Sequence, residues 1–235
     1  MKSILALADL LNLKNDIGAI TTCFGRNLDI DENWHWQDLQ IKVRPGLLRV
    51  KKEGVMMNGS TIFIAGVYGT GKSTLCFALS ERLHIPAYSA GDLISALNGE
   101  RYGANKTVAD KDNNQVLLSE YVRKLNQKYE QIILAGHFCI FNSNNDVEVL
   151  PESVYHALNI TRIVLLEADT QTIIDHLKKR DGKNYSKESV IALSVKERIQ
   201  SERIATQLKC QLDIFKMTFT KVDLDHIAAL LYIGG

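Results

Sequence analysis

The sequence predicts an α/β fold built around a parallel sheet, and two observations lead to that prediction. From residue 61 onward, short apolar runs typical of strands alternate with longer runs in which apolar residues recur at helical spacing. Parallel neighbours need a crossover between them, usually a helix, so this alternation indicates βαβ units. A glycine-rich turn at 66–71 joins the first strand to the first helix. We therefore predict an α/β domain at 60–235, preceded by a small N-terminal extension at 1–59.

The individual elements follow from local patterns. The predicted strands are 61–65, 87–90, 131–135, 162–166 and 213–217, and the predicted helices are about 71–83, 93–97, 114–128, 151–156, 170–180, 186–209 and 223–231. The first helix is expected to end before Pro86, because the residue preceding a proline avoids the helical region. Pro151 suits the first turn of its helix. Ser186 is expected to cap the longest helix.

The glycine-rich turn matches the P-loop, or Walker A, pattern G-x-x-x-x-G-K-[ST]. Its residues are Gly66, Val67, Tyr68, Gly69, Thr70, Gly71, Lys72 and Ser73, with Thr74 directly after. Glycines let backbone N–H groups approach phosphate oxygens closely, and the following helix directs its positive end to the same place. Lys72 would supply a charge for the β- and γ-phosphates, and the Ser73 hydroxyl a ligand for Mg²⁺.

These features predict a site for a nucleoside triphosphate, taken to be ATP with Mg²⁺, at Gly66–Thr74. Thr74 is expected to offer a second hydroxyl contact. Tyr68 lies inside the loop and either covers the nucleotide or packs against the protein. A glycine-rich βα turn with a chance lysine is the alternative interpretation.

Composition narrows the class of protein. A formal net charge of +1 gives no strong attraction to nucleic acid or anionic membrane. No apolar run approaches the ~18 residues of a membrane span, and Met1–Leu13 lacks the basic start and cleavage site of a signal peptide. The four cysteines are widely spaced and form no CxxC pair, so neither a zinc site nor a redox dithiol is indicated. We expect a reducing, cytoplasmic location.

The extension at 1–59 contains both tryptophans of the chain, Trp34 and Trp36, and a basic run at 42–52. Aromatic and basic residues together are found on nucleic-acid and partner-binding surfaces. The alternative is that the extension packs its tryptophans on the core of the domain.

Four pieces of the chain together resemble the nucleoside monophosphate kinase branch of P-loop proteins, particularly adenylate-kinase-like ATP-binding proteins of bacteria and archaea. They are Gly66–Thr74, Ser89–Ile94, Ala135–Phe138 and Leu177–Asp181. The resemblance implies a three-layer P-loop NTPase fold with a five-stranded parallel sheet of order 2-3-1-4-5. It also implies transfer of the γ-phosphoryl of ATP to a small phosphate or hydroxyl acceptor.

Three positions depart from the pattern of that family. Its third strand usually ends with an aspartate that organises Mg²⁺, and Ala135 stands there instead. An arginine for the acceptor phosphate is replaced by Ser95, with Arg101 as the nearest substitute. The first lid arginine is replaced by His176, although Lys179 and Arg180 remain near the expected lid.

Several side chains are expected to face the acceptor or the transferred phosphoryl group. Asp92, Arg101, Gln115 and His137 are the predicted acceptor-binding residues; Lys72, Asp92, His137 and Arg180 are the predicted catalytic ones. His137 follows the third strand, at the edge where ligands bind in open α/β sheets, and would orient a hydroxyl or act as a base. The alternatives are a backbone-bonded His137, and helix capping by Asp92 and Gln115.

Other charged residues allow two interpretations each. Glu167 and Asp169 end the fourth strand and either belong to the nucleotide site or cap the next helix. The longest helix carries mixed charges typical of a solvated face: Lys196, Glu197, Arg198, Glu202 and Arg203. Closure of Arg198 or Arg203 on phosphate is the alternative.

Three functions are consistent with the sequence. The first is a kinase that uses ATP and Mg²⁺ to phosphorylate a nucleotide or nucleoside. The second is an ATP- or GTP-binding switch or ATPase subunit that docks through residues 1–59, which Ala135 and Ser95 favour. The third is a polynucleotide 5′-kinase that holds a strand on the basic run.

Overall fold

The computed structural model describes residues 58–97, 111–142 and 144–233, and these form a parallel sheet with helices on both faces. All but the last two residues of the predicted extension lie outside the described residues, as does Arg101. The assignment of 1–59 as an extension and 60–235 as one domain therefore stays a prediction.

The strands are β1 (Ser60–Ala65), β2 (Ala87–Ser89), β3 (Gln131–Ala135), β4 (Cys139–Phe141), β5 (Val147–Val149), β6 (Ile160–Glu167) and β7 (Gln211–Lys216). The helices are α1 (Lys72–Leu83), α2 (Ala90–Leu97), α3 (Lys111–Lys128), α4 (Glu152–Ala157), α5 (Thr170–Asp181), α6 (Lys187–Leu208) and α7 (Lys221–Ile233). None of the helices in the described ranges is long and apolar enough to cross a membrane.

The central sheet has the order β2-β3-β1-β6-β7, and every pairing in it is parallel. Because β4 and β5 belong to a separate hairpin, β6 and β7 are the fourth and fifth strands of this sheet. The predicted order 2-3-1-4-5 is therefore confirmed. Ala135 at the end of β3 pairs with Ile64 on one side and Ser89 on the other. The residues that follow β1, β2 and β3 therefore leave the sheet at the same edge.

The core lies on both sides of the central strand β1, because successive side chains of a strand point to opposite faces. Phe63 faces a cluster to which α3 and α6 contribute, while Ile64 faces a cluster that includes Leu79 of α1 and Ile227 of α7. Residues 61–65 are all buried. A continuous apolar strand is what a parallel sheet covered on both faces requires.

One element was not predicted, and two local predictions are wrong. Residues 139–149 contain an antiparallel hairpin of β4 and β5 that the sequence analysis did not predict. Helix α3 begins at Lys111, so Gln115 lies inside the helix and does not cap it. Pro151 precedes the first residue of α4 as its N-cap rather than lying within the first turn.

Candidate active site

The P-loop connects β1 to α1 through backbone conformations that favour glycine. Gly66 has φ of 144°, and a Cβ there would lie 2.6 Å from the Leu166 carbonyl oxygen. Gly71 has φ of 82° and forms the N-cap of α1. The buried Thr70 hydroxyl donates to the Val67 carbonyl at 2.8 Å. The glycine conformations and the Thr70 hydrogen bond therefore help to fix the shape of the loop.

Lys72 lies beneath the loop and is only 8% exposed. Its Nζ donates to the carbonyl oxygens of Gly66 at 2.7 Å and Val67 at 2.8 Å. Burial lowers the pKa of Lys72 to about 8, against the opposing effect of the Glu197 charge. An anion in the loop would attract this ammonium away from the two carbonyls. Ser73 and Thr74 expose their side chains on the first turn of α1.

Glu197 is a component of the site that the sequence analysis missed. The prediction that it lies on a solvated face is wrong, since it is 1% exposed. Its carboxylate accepts hydrogen bonds from the backbone N–H groups of Gly66 (3.1 Å), Phe138 (3.0 Å) and Cys139 (2.7 Å). Burial raises the pKa of Glu197, while the bond from Phe138 and the Lys72 charge oppose that rise. The carboxylate therefore joins the P-loop to the hairpin.

A signal for Glu197 was present in the apolar spacing of α6. The buried residues of that helix recur every three or four positions, and Glu197 falls in this series: Val190, Leu193, Glu197, Ser201 and Ile204. A charged residue on the buried stripe of a helix needs partners, because burial of an unpaired charge is costly. Those partners are backbone groups at least 58 positions away in the sequence.

His137, Tyr68 and Arg180 meet above the P-loop. The rings of Tyr68 and His137 have centroids 4.4 Å apart, and the Arg180 guanidinium lies 5.8 Å from the Tyr68 ring centroid. The main chain of His137 is held by a hydrogen bond from the Tyr155 hydroxyl to its carbonyl at 2.7 Å. Burial, followed by the charge of Lys72, places the pKa of His137 well below 6.5. Its buried Nδ1 has no hydrogen-bond partner.

Asp92 and Gln115 lie on neighbouring helices beyond the same sheet edge. Asp92 is in the first turn of α2, and its N–H donates to the Ser89 hydroxyl at 3.3 Å, so Asp92 is not the helix cap. Gln115 is on α3, which packs against α2 in one core cluster. Ser95, at the position of the expected arginine, is buried.

The remaining charged candidates have partners of their own. Asp169 caps α5 by accepting from the Gln171 N–H at 2.9 Å, as the capping alternative predicted. Arg198 pairs with Glu167 at 3.0 Å and with Glu202 at 3.2 Å.

Arg203 and His176 also have partners, one in an ion pair and the other in the P-loop. Arg203 pairs with Glu152 at 2.8 Å. His176, where the family has its first lid arginine, contacts the P-loop through Nδ1, which lies 2.8 Å from the Gly69 carbonyl oxygen.

The set of described side chains that could coordinate a metal ion at this site is small. Ala135 is 4% exposed and packs in the core cluster that contains Ile64. Within the described ranges, no group of three His, Cys, Asp or Glu side chains is arranged to hold an ion. The exposed Ser73 hydroxyl could supply one protein ligand to a Mg²⁺ ion whose other ligands are phosphate oxygens and water.

A parallel sheet of this order, with a P-loop after its central strand, defines a kinase-like P-loop protein. A family model described as AAA domain matches residues 65–194, more than half of the chain, and the chain belongs to this family. The predicted resemblance to P-loop nucleoside monophosphate kinases is confirmed.

Similar proteins include nucleotide and small-molecule kinases. Cytidylate kinase from Methanothermobacter thermautotrophicus is 26% identical over 125 residues, which cover 51% of this chain and 77% of that protein. Chloroplastic adenylyl-sulfate kinase from Catharanthus roseus is 33% identical over 92 residues, which cover 38% of this chain and 27% of that protein. The structure of shikimate kinase from Acinetobacter baumannii in complex with shikimate is similar in fold, with a TM-score of 0.51 and 10% identity. That likeness covers 76% of this chain and 97% of the other.

Proposed function

We propose that the protein is an ATP-dependent phosphotransferase that moves the γ-phosphoryl group of ATP to a small nucleotide or nucleoside acceptor. One observation carries the proposal: three separate elements converge at Tyr68. The P-loop supplies Tyr68, the segment after β3 supplies His137, and the end of α5 supplies Arg180. Phosphoryl transfer depends mainly on positioning and charge stabilisation, and this convergence offers both.

The nucleotide is proposed to bind with its phosphates in Gly66–Thr74. The backbone N–H groups of the loop and the positive end of α1 attract the anion. Lys72 would leave the carbonyls of Gly66 and Val67 to contact the β- and γ-phosphates. The Ser73 hydroxyl would hold Mg²⁺, which neutralises charge on the phosphate oxygens.

The acceptor is proposed to bind on the His137 side of the loop, with Asp92, Arg101 and Gln115 as further contacts. The low pKa of His137 keeps its imidazole neutral at pH 7. A neutral ring can orient an acceptor hydroxyl towards the phosphorus or accept its proton. Arg180, with Lys179, would close over the transferred group and exclude water.

A second candidate function is an ATP- or GTP-binding ATPase or switch with no acceptor. The buried Ala135 favours it, because the carboxylate that organises Mg²⁺ in related kinases is missing. Residues 1–59 would then dock a protein partner. A third candidate, 5′-phosphorylation of a nucleic acid, rests on the basic run alone.

The cysteines Cys76, Cys139 and Cys210 are free, which supports our proposal of a reducing, cytoplasmic location.

The kinase proposal is tested by ADP formation with and without acceptors. The purified full chain is incubated with ATP, Mg²⁺ and a panel of nucleosides, nucleoside monophosphates and 5′-hydroxyl oligonucleotides. We expect ADP formation to depend on one acceptor class and to fall at least about a hundredfold in Lys72→Ala. Lys221→Ala, at an exposed lysine that begins α7, is the matched control. ADP formation that is equal with and without every acceptor would contradict the kinase and support the ATPase.

A further inference from the structure

A pocket of about 210 Å³ opens beside the P-loop. Four separate segments build its walls: the P-loop, the β4–β5 hairpin, the end of α5 and the segment that leads into α6. The lining residues are Tyr68, Phe141, Asn142, Asn145, Arg180 and Tyr185. Only Tyr68 and Arg180 belong to the residues assigned above to ATP binding and transfer.

The hairpin wall of the pocket is held in place by hydrogen bonds. The Asn142 side-chain oxygen accepts from the N–H groups of Asn144 and Asp146, each at 2.9 Å, and so closes the turn. Glu197 of α6 accepts from the Cys139 N–H at 2.7 Å. The same carboxylate binds the P-loop, so the two sides of the pocket are joined through one buried group.

The Phe141 ring is close to parallel with two other aromatic rings of the pocket, those of Tyr68 and Tyr185. The Tyr68 and Phe141 rings have centroids 6.3 Å apart and planes inclined by 22°. The Phe141 and Tyr185 rings have centroids 6.1 Å apart and planes inclined by 24°. Aromatic faces and guanidinium planes, such as that of Arg180 near Tyr68, are surfaces on which nucleobases stack.

We propose that this pocket binds the planar heterocyclic ring of the phosphoryl acceptor, an inference that rests on the proposed kinase function. The acceptor class is therefore a nucleoside or nucleotide rather than a sugar or a sugar acid. The selectivity for this class of acceptor would come from Phe141, Asn142, Asn145 and Tyr185.

The size and polarity of the pocket agree with a single ring system. Its volume is below the ~300–1,000 Å³ typical of pockets for drug-sized ligands, so it suits a base and not a whole nucleotide. Asn145 contributes an amide, and an amide offers a donor and an acceptor that match the edge of a base. The Asn142 amide oxygen is engaged in the turn, so Asn142 shapes the wall of the pocket.

The position of the pocket favours the acceptor over the donor. His137 contacts the Tyr68 ring, so a group attached to a ring in the pocket would lie near the His137 imidazole. The hairpin continues directly from the segment that carries His137.

The test compares steady-state kinetics for two kinds of acceptor. ADP formation is measured with nucleosides and nucleoside monophosphates, and with gluconate and shikimate, which have no aromatic ring. The variants are Phe141→Leu, Asn145→Gly and the control Phe77→Leu, at an exposed phenylalanine of α1 outside the pocket. Asn145 has φ of 61°, which glycine adopts without strain, so this second variant is expected to fold.

Loss of stacking in Phe141→Leu is expected to raise the KM for ring-bearing acceptors by about 5- to 150-fold. Asn145→Gly is expected to raise it by about two- to tenfold. The KM for ATP should stay within about twofold in both variants, and Phe77→Leu should match the wild type in every constant. An increase confined to the KM for ATP would assign the pocket to the donor and overturn the inference. Equal use of gluconate or shikimate would also overturn it, while leaving ATP-dependent phosphoryl transfer itself intact.

Absence of transfer to any acceptor would contradict the kinase proposal, and the pocket would then be tested by binding alone. Equilibrium dialysis of labelled nucleosides against the wild type and Phe141→Leu separates the cases. Binding that is lost in the variant supports a ring site. No binding, or equal binding by both proteins, overturns it.

Discussion

Replacement of Glu197 by alanine is expected to destabilise the protein and to weaken its binding of ATP. The wild-type carboxylate is buried on α6 and accepts from the backbone N–H groups of Gly66, Phe138 and Cys139. Alanine would leave these three donors without an acceptor at the junction of the P-loop and the hairpin. It would also remove the negative charge that acts on Lys72.

The size of the effect follows from those contacts. Each buried N–H left unsatisfied costs about 1–3 kcal/mol. Removal of a buried carboxylate also relieves its desolvation, so the net loss is closer to the ~3–5 kcal/mol measured when one member of a buried ion pair is removed. For a domain of this size, 1 kcal/mol lowers the Tm by about 2–4 °C. We expect a fall in Tm of roughly 6–20 °C.

The assay is thermal unfolding of the full chain by circular dichroism, followed by calorimetric titration with ATP and Mg²⁺. Glu202→Ala is the matched control, because Glu202 lies on the same helix, is 52% exposed and pairs only with Arg198 among the ion pairs described. Its loss should change stability by no more than about 0.5 kcal/mol. Glu197→Gln, which keeps one acceptor oxygen, should fall between the two. Equal Tm values for Glu197→Ala and Glu202→Ala would refute the role assigned to Glu197.

Two further predictions concern stability. In Gly136→Ala, the new Cβ would lie 2.6 Å from Cζ of the buried Phe63. This overpacking should lower the free energy of unfolding by about 1–3 kcal/mol, which chemical denaturation measures. A variant as stable as the wild type would show that the Phe63 ring moves aside freely. Asp223 accepts from the N–H groups of Thr218 and Phe219. Burial would raise its pKa, but a hydrogen bond from the Thr218 hydroxyl, together with these backbone bonds, holds it below the ordinary 3.8. Its stabilisation is therefore present above pH 3.8 and is lost as pH falls through the lower folded-state pKa. Melting curves of the wild type and Asp223→Asn should differ at pH 7 and converge in acid, and a gap that stays constant across that range would contradict the pKa assignment.

The elements predicted most accurately are those with local signals. β1 and α1 were placed within one residue, because an apolar strand, three glycines and a following helix fall within one short stretch. Helix α6 was also found, since Ser186 accepts from the Ser189 N–H at its start, as a capping serine does. The strand order came from the family resemblance and is confirmed.

The β4–β5 hairpin and the role of Glu197 were not predictable in the same way. The strands of the hairpin are three residues long, which is too short for alternation to be recognised. Glu197 is surrounded in sequence by exposed charges, and its partners are brought to it only by the tertiary fold. Both features lie at the candidate site, where side chains are selected for function as well as for local structure.

The most direct test of the proposed phosphoryl transfer follows the label from ATP carrying a radioactive γ-phosphorus. The full chain is incubated with this ATP, Mg²⁺ and the acceptor panel, and the products are separated, with Lys72→Ala as the control. We predict label in a nucleoside or nucleotide product that the variant does not form. Label found only in inorganic phosphate, or no turnover with ATP binding retained, would contradict the kinase and favour an ATPase or a nucleotide-dependent switch.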